Sequence, residues 1–165
     1  MTSTAPAPSR EPNVDGWVEA APFRAQLNHL MAAGDLSSGA AAAMVGISPR
    51  LAHRLVHGRG GRPLRRIDPH TARKLLRVTT AEARAARRLT VSAEPTVQHL
   101  RTLLRAGWSQ VDLTRLLGVE LRELEALLLG SSRSCTQLVA LRASAEAGRL
   151  TALRPLGAAL ARKAA

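Results

Sequence analysis

Two stretches of this chain read as one structural unit written twice. MAAGDLSSGAAAAMVGISPRLAHRLVHG, residues 31–58, lies beside LRAGWSQVDLTRLLGVELRELEALLLG, residues 104–130, with one extra residue in the first copy. Ala33-Gly34 then matches Ala106-Gly107, Gly46-Ile47 matches Gly118-Val119, Leu55 matches Leu127 and Gly58 matches Gly130. Further on, HTARKLLR of the first copy is set against CTQLVALR of the second. Inside each copy the apolar residues recur at helical spacing, and a central glycine breaks the run into two short helices. No stretch shows sustained β alternation. The expected class is all-α, built from tandem helical units.

Helix starts carry their own signals. Ser48 fits an N-cap with Pro49 in the first helical position, and Asp68 with Pro69 repeats the pattern. A first helix is expected over about 15–33, with Trp17, Val18, Phe23, Leu27, Leu30 and Met31 as core and Pro22 either splitting it or marking its true start. A basic helix begins at Thr80, and further helices are expected near 95–106, 109–117, 120–129, 135–147 and 150–163. The Ala/Pro/Ser/Thr-rich residues 1–13 read as a flexible tail, 14–90 as a basic unit and 91–165 as a second, acidic-faced unit with a C-terminal helix.

Composition narrows the classes. Aliphatic side chains supply nearly all of the apolar content, since there are two Trp, one Phe and no Tyr. Such a chain lacks the aromatic platforms that stack unpaired bases. No apolar run approaches the roughly 18–20 residues of a membrane span, and MTSTAPAPSREPN has no signal-peptide core, so a cytoplasmic, nucleoid-associated protein is expected. A single cysteine, Cys135, excludes an internal disulfide.

Each copy resembles the helix-turn-helix of DNA-binding proteins, in which a small or β-branched residue precedes a glycine and an apolar residue follows it. The resemblance implies that Ala41, Val45, Gly46, Ile47, Ala52 and Leu55 build the first unit and Leu113, Leu117, Gly118, Val119, Leu124 and Leu127 the second. The small residue usual in the first helix is Ala42 in one copy and Thr114 in the other. GRPLRRIDPHTARKLL is similar to segments of small helix-turn-helix proteins of actinobacteria and their phages. The resemblance further implies that the second helix of each unit lies in a major groove. Its outward residues in the first copy are Ser48, Arg50, His53, Arg54 and His57, all able to meet bases or phosphate. The second copy offers Glu120, Arg122, Glu123, Glu125 and Ala126, and three carboxylates repel a polyanion. Glu120, Glu123 and Glu125 are therefore expected to face another protein or a second subunit.

Between matched elements the first copy carries the elaboration GRGGRPLRR, residues 58–66. Its RGGRP core is similar to the RGRP core of AT-hooks, with one glycine inserted. Arg59, Arg62, Arg65 and Arg66 are expected to clamp the DNA backbone or enter the neighbouring minor groove. Arg73, Lys74 and Arg77 of the next helix add to the same basic surface. Net charge is +12, of which residues 46–88 hold +10. That concentration favours a polyanionic partner over diffuse basicity.

No phosphate loop, Rossmann glycine pattern or paired-carboxylate cluster occurs, and His53 and His57 lack a third metal ligand nearby. The expected protein is no enzyme and takes no cofactor or metal. It binds double-stranded DNA with some sequence preference, as a transcription regulator or DNA-organising protein, with a homodimer or protein partner reached through residues 91–165. The alternative is an adaptor whose second unit binds another protein, such as polymerase, with DNA binding auxiliary.

Overall fold

Pro22 lies in the first turn of a helix, where its missing N–H costs nothing, and Val18–Glu19 upstream of it are extended. The structure, a computed structural model, describes residues 16–163, with side-chain surroundings as far as Ala152. Val18–Glu19 form strand β1, and Ala21–Gly34 form α1. The expected helix from about residue 15 is thus corrected: Trp17 and Val18 precede it, and Trp17 is about half exposed rather than core. The proposed tail, residues 1–13, lies outside the described residues.

Next come α2 (Ser38–Val45), α3 (Pro49–His57), β2 (Arg66–Ile67), α4 (Pro69–Arg77) and α5 (Thr80–Ala85). The second half runs β3 (Thr90–Ser92), α6 (Glu94–Arg105), α7 (Gln110–Leu117), α8 (Leu121–Leu128), β4 (Ser134–Thr136) and α9 (Gln137–Lys163). The chain is mainly helical, and the strands correct the purely α expectation. β1 pairs antiparallel with β2, Val18 opposite Ile67, and β3 pairs antiparallel with β4, Val91 opposite Cys135.

The two halves therefore share one element order, strand, three helices, strand, helix. The likeness extends further towards the N-terminus than residues 31–58 and 104–130. Ala20 N–H donates to Arg65 O at 2.8 Å, and Ala93 N–H donates to Arg133 O at 3.0 Å. Each alanine is fully or almost fully buried and is followed two residues later by a helix-starting proline. These pairings place Ile67 opposite Cys135 in the repeat, so HTARKLLR and CTQLVALR are offset by three residues from their direct alignment.

Local capping sets most helix starts. Ser37, Ser48, Asp68, Thr79 and Ser109 each accept a hydrogen bond from an N–H in the first turn of the helix that follows. Thr79 with Glu82 and Ser109 with Asp112 close reciprocal capping boxes. Glu120 occupies the equivalent position before α8 without a side-chain bond to the helix N–H groups.

Two apolar clusters result. Leu27, Leu30, Ala41, Ala42, Val45, Ala52, Leu55, Ile67 and Leu75 form the first, and Leu100, Leu103, Leu113, Leu117, Leu124, Leu127 and Cys135 the second. Helix α9 contributes to both. Val139 and Ala143 enter the second cluster, while Leu138, Leu141 and Ala145 pack against the first. It runs unbroken where two helices were expected, because Gly148 in a helix interior costs only about 1 kcal/mol. Packing against α2, α6 and α7 outweighs that. No described helix is long and apolar enough to cross a membrane.

Candidate nucleic-acid interface

The chain leaves α2 through Gly46, at φ 73°, whose N–H returns to Ala42 O at 2.9 Å. That left-handed residue turns the backbone sharply, and Ser48 then opens α3 with its Oγ accepting from Leu51 N–H at 3.2 Å. On α3, Ala52 and Leu55 are wholly buried. Helical spacing puts Arg50, His53, Arg54 and His57 on the opposite face, and all four are exposed. The rings of His53 and His57 lie 4.6 Å apart, tilted by 45°. Ser48 is committed to capping. Arg50 donates from Nη2 to Ala152 O of α9 at 3.0 Å.

The arginine segment after α3 has a defined shape. Arg59 and Arg62 exchange backbone hydrogen bonds of 2.9 and 3.1 Å, forming an isolated antiparallel bridge. Gly60 and Gly61 between them have φ 55° and 75°. Two successive positive φ values make a type I′ turn, the tightest hairpin compatible with strand twist. The second glycine, the one by which RGGRP differs from RGRP, is thus part of what closes the turn. Eight residues separate Gly58 from Ile67 against four between Gly130 and Cys135, so the hairpin Arg59–Arg62 is itself the length of the insertion. Its directly opposed side chains share one face.

A residue missed by sequence reasoning holds this hairpin in place. Arg24 on α1 donates from Nε to Leu55 O and from Nη2 to Leu64 O, each at 2.8 Å. It joins the last turn of α3 to the far side of the hairpin and places positive charge at the helix C-terminus. An isolated arginine in an amphipathic helix gives no hint of such a role. Backbone pairing of Ala20 with Arg65 fixes the other end of the segment. Arg59, Arg62, Arg65 and Arg66 keep their side chains exposed.

On α4, Asp68 caps the helix through a 2.9 Å bond from Thr71 N–H. The Thr71 side chain, and after it this backbone bond, hold the Asp68 carboxyl below its usual pKa. Arg73 and Arg77 are exposed. Lys74 differs: its Nζ donates to Gly46 O at 2.8 Å, which ties α4 to the turn between α2 and α3. It braces that turn.

The second copy presents a different surface. Glu120, Glu123 and Glu125 are exposed on or beside α8, with Arg122 Nε 2.8 Å from Glu120 Oε2. Leu121 and Leu129 flank them at 47% and 84% exposure, a solvent-facing apolar content that α3 lacks. Among the described residues no group of three His, Cys, Asp or Glu is placed to hold a metal ion. Compared with known proteins, the chain matches no family model, no curated protein and no solved structure.

Proposed function

We propose that the chain binds double-stranded DNA through α3 and the Arg59–Arg62 hairpin, as a transcription regulator or DNA-organising protein. One observation carries this reading: a helix set off by a glycine turn shows four basic or polar side chains opposite its core face and leads straight into an arginine hairpin closed by its own backbone bonds. The α2–α3 pair serves as a helix-turn-helix, with α3 in the major groove. Arg50 and Arg54 are suited to bidentate contacts with guanine, and His53 and His57 to bases or phosphate. Arg59 and Arg62, with Arg65 and Arg66 behind them, reach the flanking backbone or minor groove, and Arg73 and Arg77 add phosphate contacts. Lys74 supports the turn.

Duplex affinity measured against salt tests this, for the wild type and for Arg59/Arg62/Arg65/Arg66→Ala. The log–log slope is expected to fall by about one for each phosphate that an arginine no longer neutralises. An unchanged slope would remove the hairpin from the interface.

A second reading draws on α8. Leu121 and Leu129 exposed beside Glu120, Glu123 and Glu125 suit an adaptor surface for a basic-rimmed protein. Reversing the three glutamates to lysine should abolish partner capture while leaving duplex affinity undiminished.

A further inference from the structure

Between α3 and α9 lies a cleft of about 950 Å³, a size within the range of small-molecule sites. Arg50, Arg54 and Arg59 line one wall, and Arg115, Arg142 and Arg149 the other. The carboxylates in its lining are Asp35 and Glu146, and both are committed. Glu146 pairs with Arg149, while Asp35 takes Arg142 and, from outside the cleft, Arg87, each at 3.3 Å. Arg54, Arg59 and Arg115 have no carboxylate within 4.0 Å among the described residues. Arg50 is bonded to a carbonyl, which leaves its charge uncompensated.

Four guanidinium groups without a carboxylate in contact line one concave surface, offset at Arg115 only by the more distant Asp112, and they repel each other and focus a positive field. The group that relieves this is one with several closely spaced negative charges and paired oxygens, and a chain of phosphates meets both needs. A single carboxylate would meet neither. Pro49, Leu116, Ala145 and Ala152 add an apolar strip to the same lining, which suits a flat ring. The 3.0 Å bond from Arg50 to Ala152 O joins α3 to α9 within the lining.

We propose that this cleft binds a small oligophosphate of nucleotide type, held between Arg54 and Arg59 on one side and Arg115 on the other. Resting on the DNA reading above, a second consequence follows: ligand and duplex exclude one another, because both require Arg54 and Arg59. The site depends on both halves of the chain, and the hairpin inserted in the first copy supplies Arg59.

Calorimetric titration of the full chain with ATP and with inorganic triphosphate tests the assignment without DNA. ATP is expected to bind, and to bind more tightly than triphosphate. Arg115→Ala, outside the proposed DNA interface, should weaken ATP about tenfold by removing a charge-assisted hydrogen bond. Arg88→Ala, an equal charge loss in the turn after α5 and outside the cleft lining, should leave ATP affinity unchanged. Absence of ATP binding overturns the proposal, and so does equal weakening by Arg88→Ala, which would mean general attraction to a basic chain. Equal affinity for ATP and triphosphate overturns the nucleotide assignment. In competition, ATP should raise the apparent duplex Kd of the wild type and do so far less for Arg115→Ala. ATP binding without duplex binding would defeat the DNA reading and leave the cleft standing. Duplex binding without ATP binding would defeat the cleft alone.

Discussion

Arg24 Nη2 donates to the Leu64 carbonyl oxygen at 2.8 Å, while its Nε donates to Leu55 O at the same distance. One half-buried guanidinium on α1 thereby fixes both the exit from α3 and the returning limb of the hairpin. Arg24→Met keeps the aliphatic stem and deletes both bonds. It should cost about 2 kcal/mol, two charge-assisted bonds less the solvation regained. For a chain of this size that lowers Tm by about 4–8 °C. On the DNA reading proposed above, duplex affinity should fall as well, since the hairpin loses its fixed direction. Arg105→Met, exposed on α6, is the control and should stay within about 0.5 kcal/mol of wild type.

Gly58 tests the hairpin from its other end. It has φ 77°, and a Cβ there would lie 2.3 Å from Arg62 O, closer than any real contact. Gly58→Ala should therefore cost about 1–3 kcal/mol and shift the hairpin. Gly60 also has positive φ, but nothing lies within 4 Å of its added Cβ. Asn is at home in the first position of a type I′ turn, so Gly60→Asn should preserve both stability and the salt slope. Thermal unfolding and duplex titration of the two variants separate steric need from backbone need.

These two sites show what the sequence could and could not reveal. Ser48-Pro49 and Asp68-Pro69 marked their helices correctly because a cap is decided by residues three apart. The glycine turns at 46 and 118 were legible for the same reason. The strands were not, since each has two or three residues and Val18 meets Ile67 across most of a unit. A longer repeat comparison, VEAAP against VSAEP, carried a trace of them. Lys74 and Arg50 read as free cations, yet their partners are carbonyls of Gly46 and Ala152, which no side-chain pattern encodes. Trp17 looked like core by type, whereas the pairing of Val18 leaves it half exposed.

Cys135 has a specific part in the second core. It takes the place that Ile67 holds in the first, and its Sγ lies 3.4 Å from Thr96 Oγ1 in a buried pair. The first copy has Phe23 where the second has Thr96. Cys135→Val should cost about 1–2 kcal/mol because it strips the buried Thr96 hydroxyl of this partner. Thr96→Val added to it should recover most of that loss, giving a coupling visible in a double-mutant cycle by urea unfolding. Additive losses would show that the two side chains act independently.

Acid should weaken α4 through Asp68. The Thr71 side chain and backbone N–H hold its carboxyl below the usual value of 3.8, with a smaller opposing effect of burial. A folded-state pKa below that of the unfolded chain contributes stability that is complete above the unfolded value. That contribution is lost as pH falls through the folded one. Asp68→Asn retains a capping oxygen and does not titrate, so near neutral pH it should match wild type within about 0.5 kcal/mol. Below about pH 4 the wild type should lose stability more steeply than Asp68→Asn. Asp68→Ala should cost about 1 kcal/mol at neutral pH, and that deficit should shrink on acidification. Urea midpoints between pH 2.5 and 7 decide the matter: parallel curves for all three chains would remove Asp68 from the acid response, and convergence of wild type with Asp68→Ala at the acid end would place the cap's charge at the start of α4.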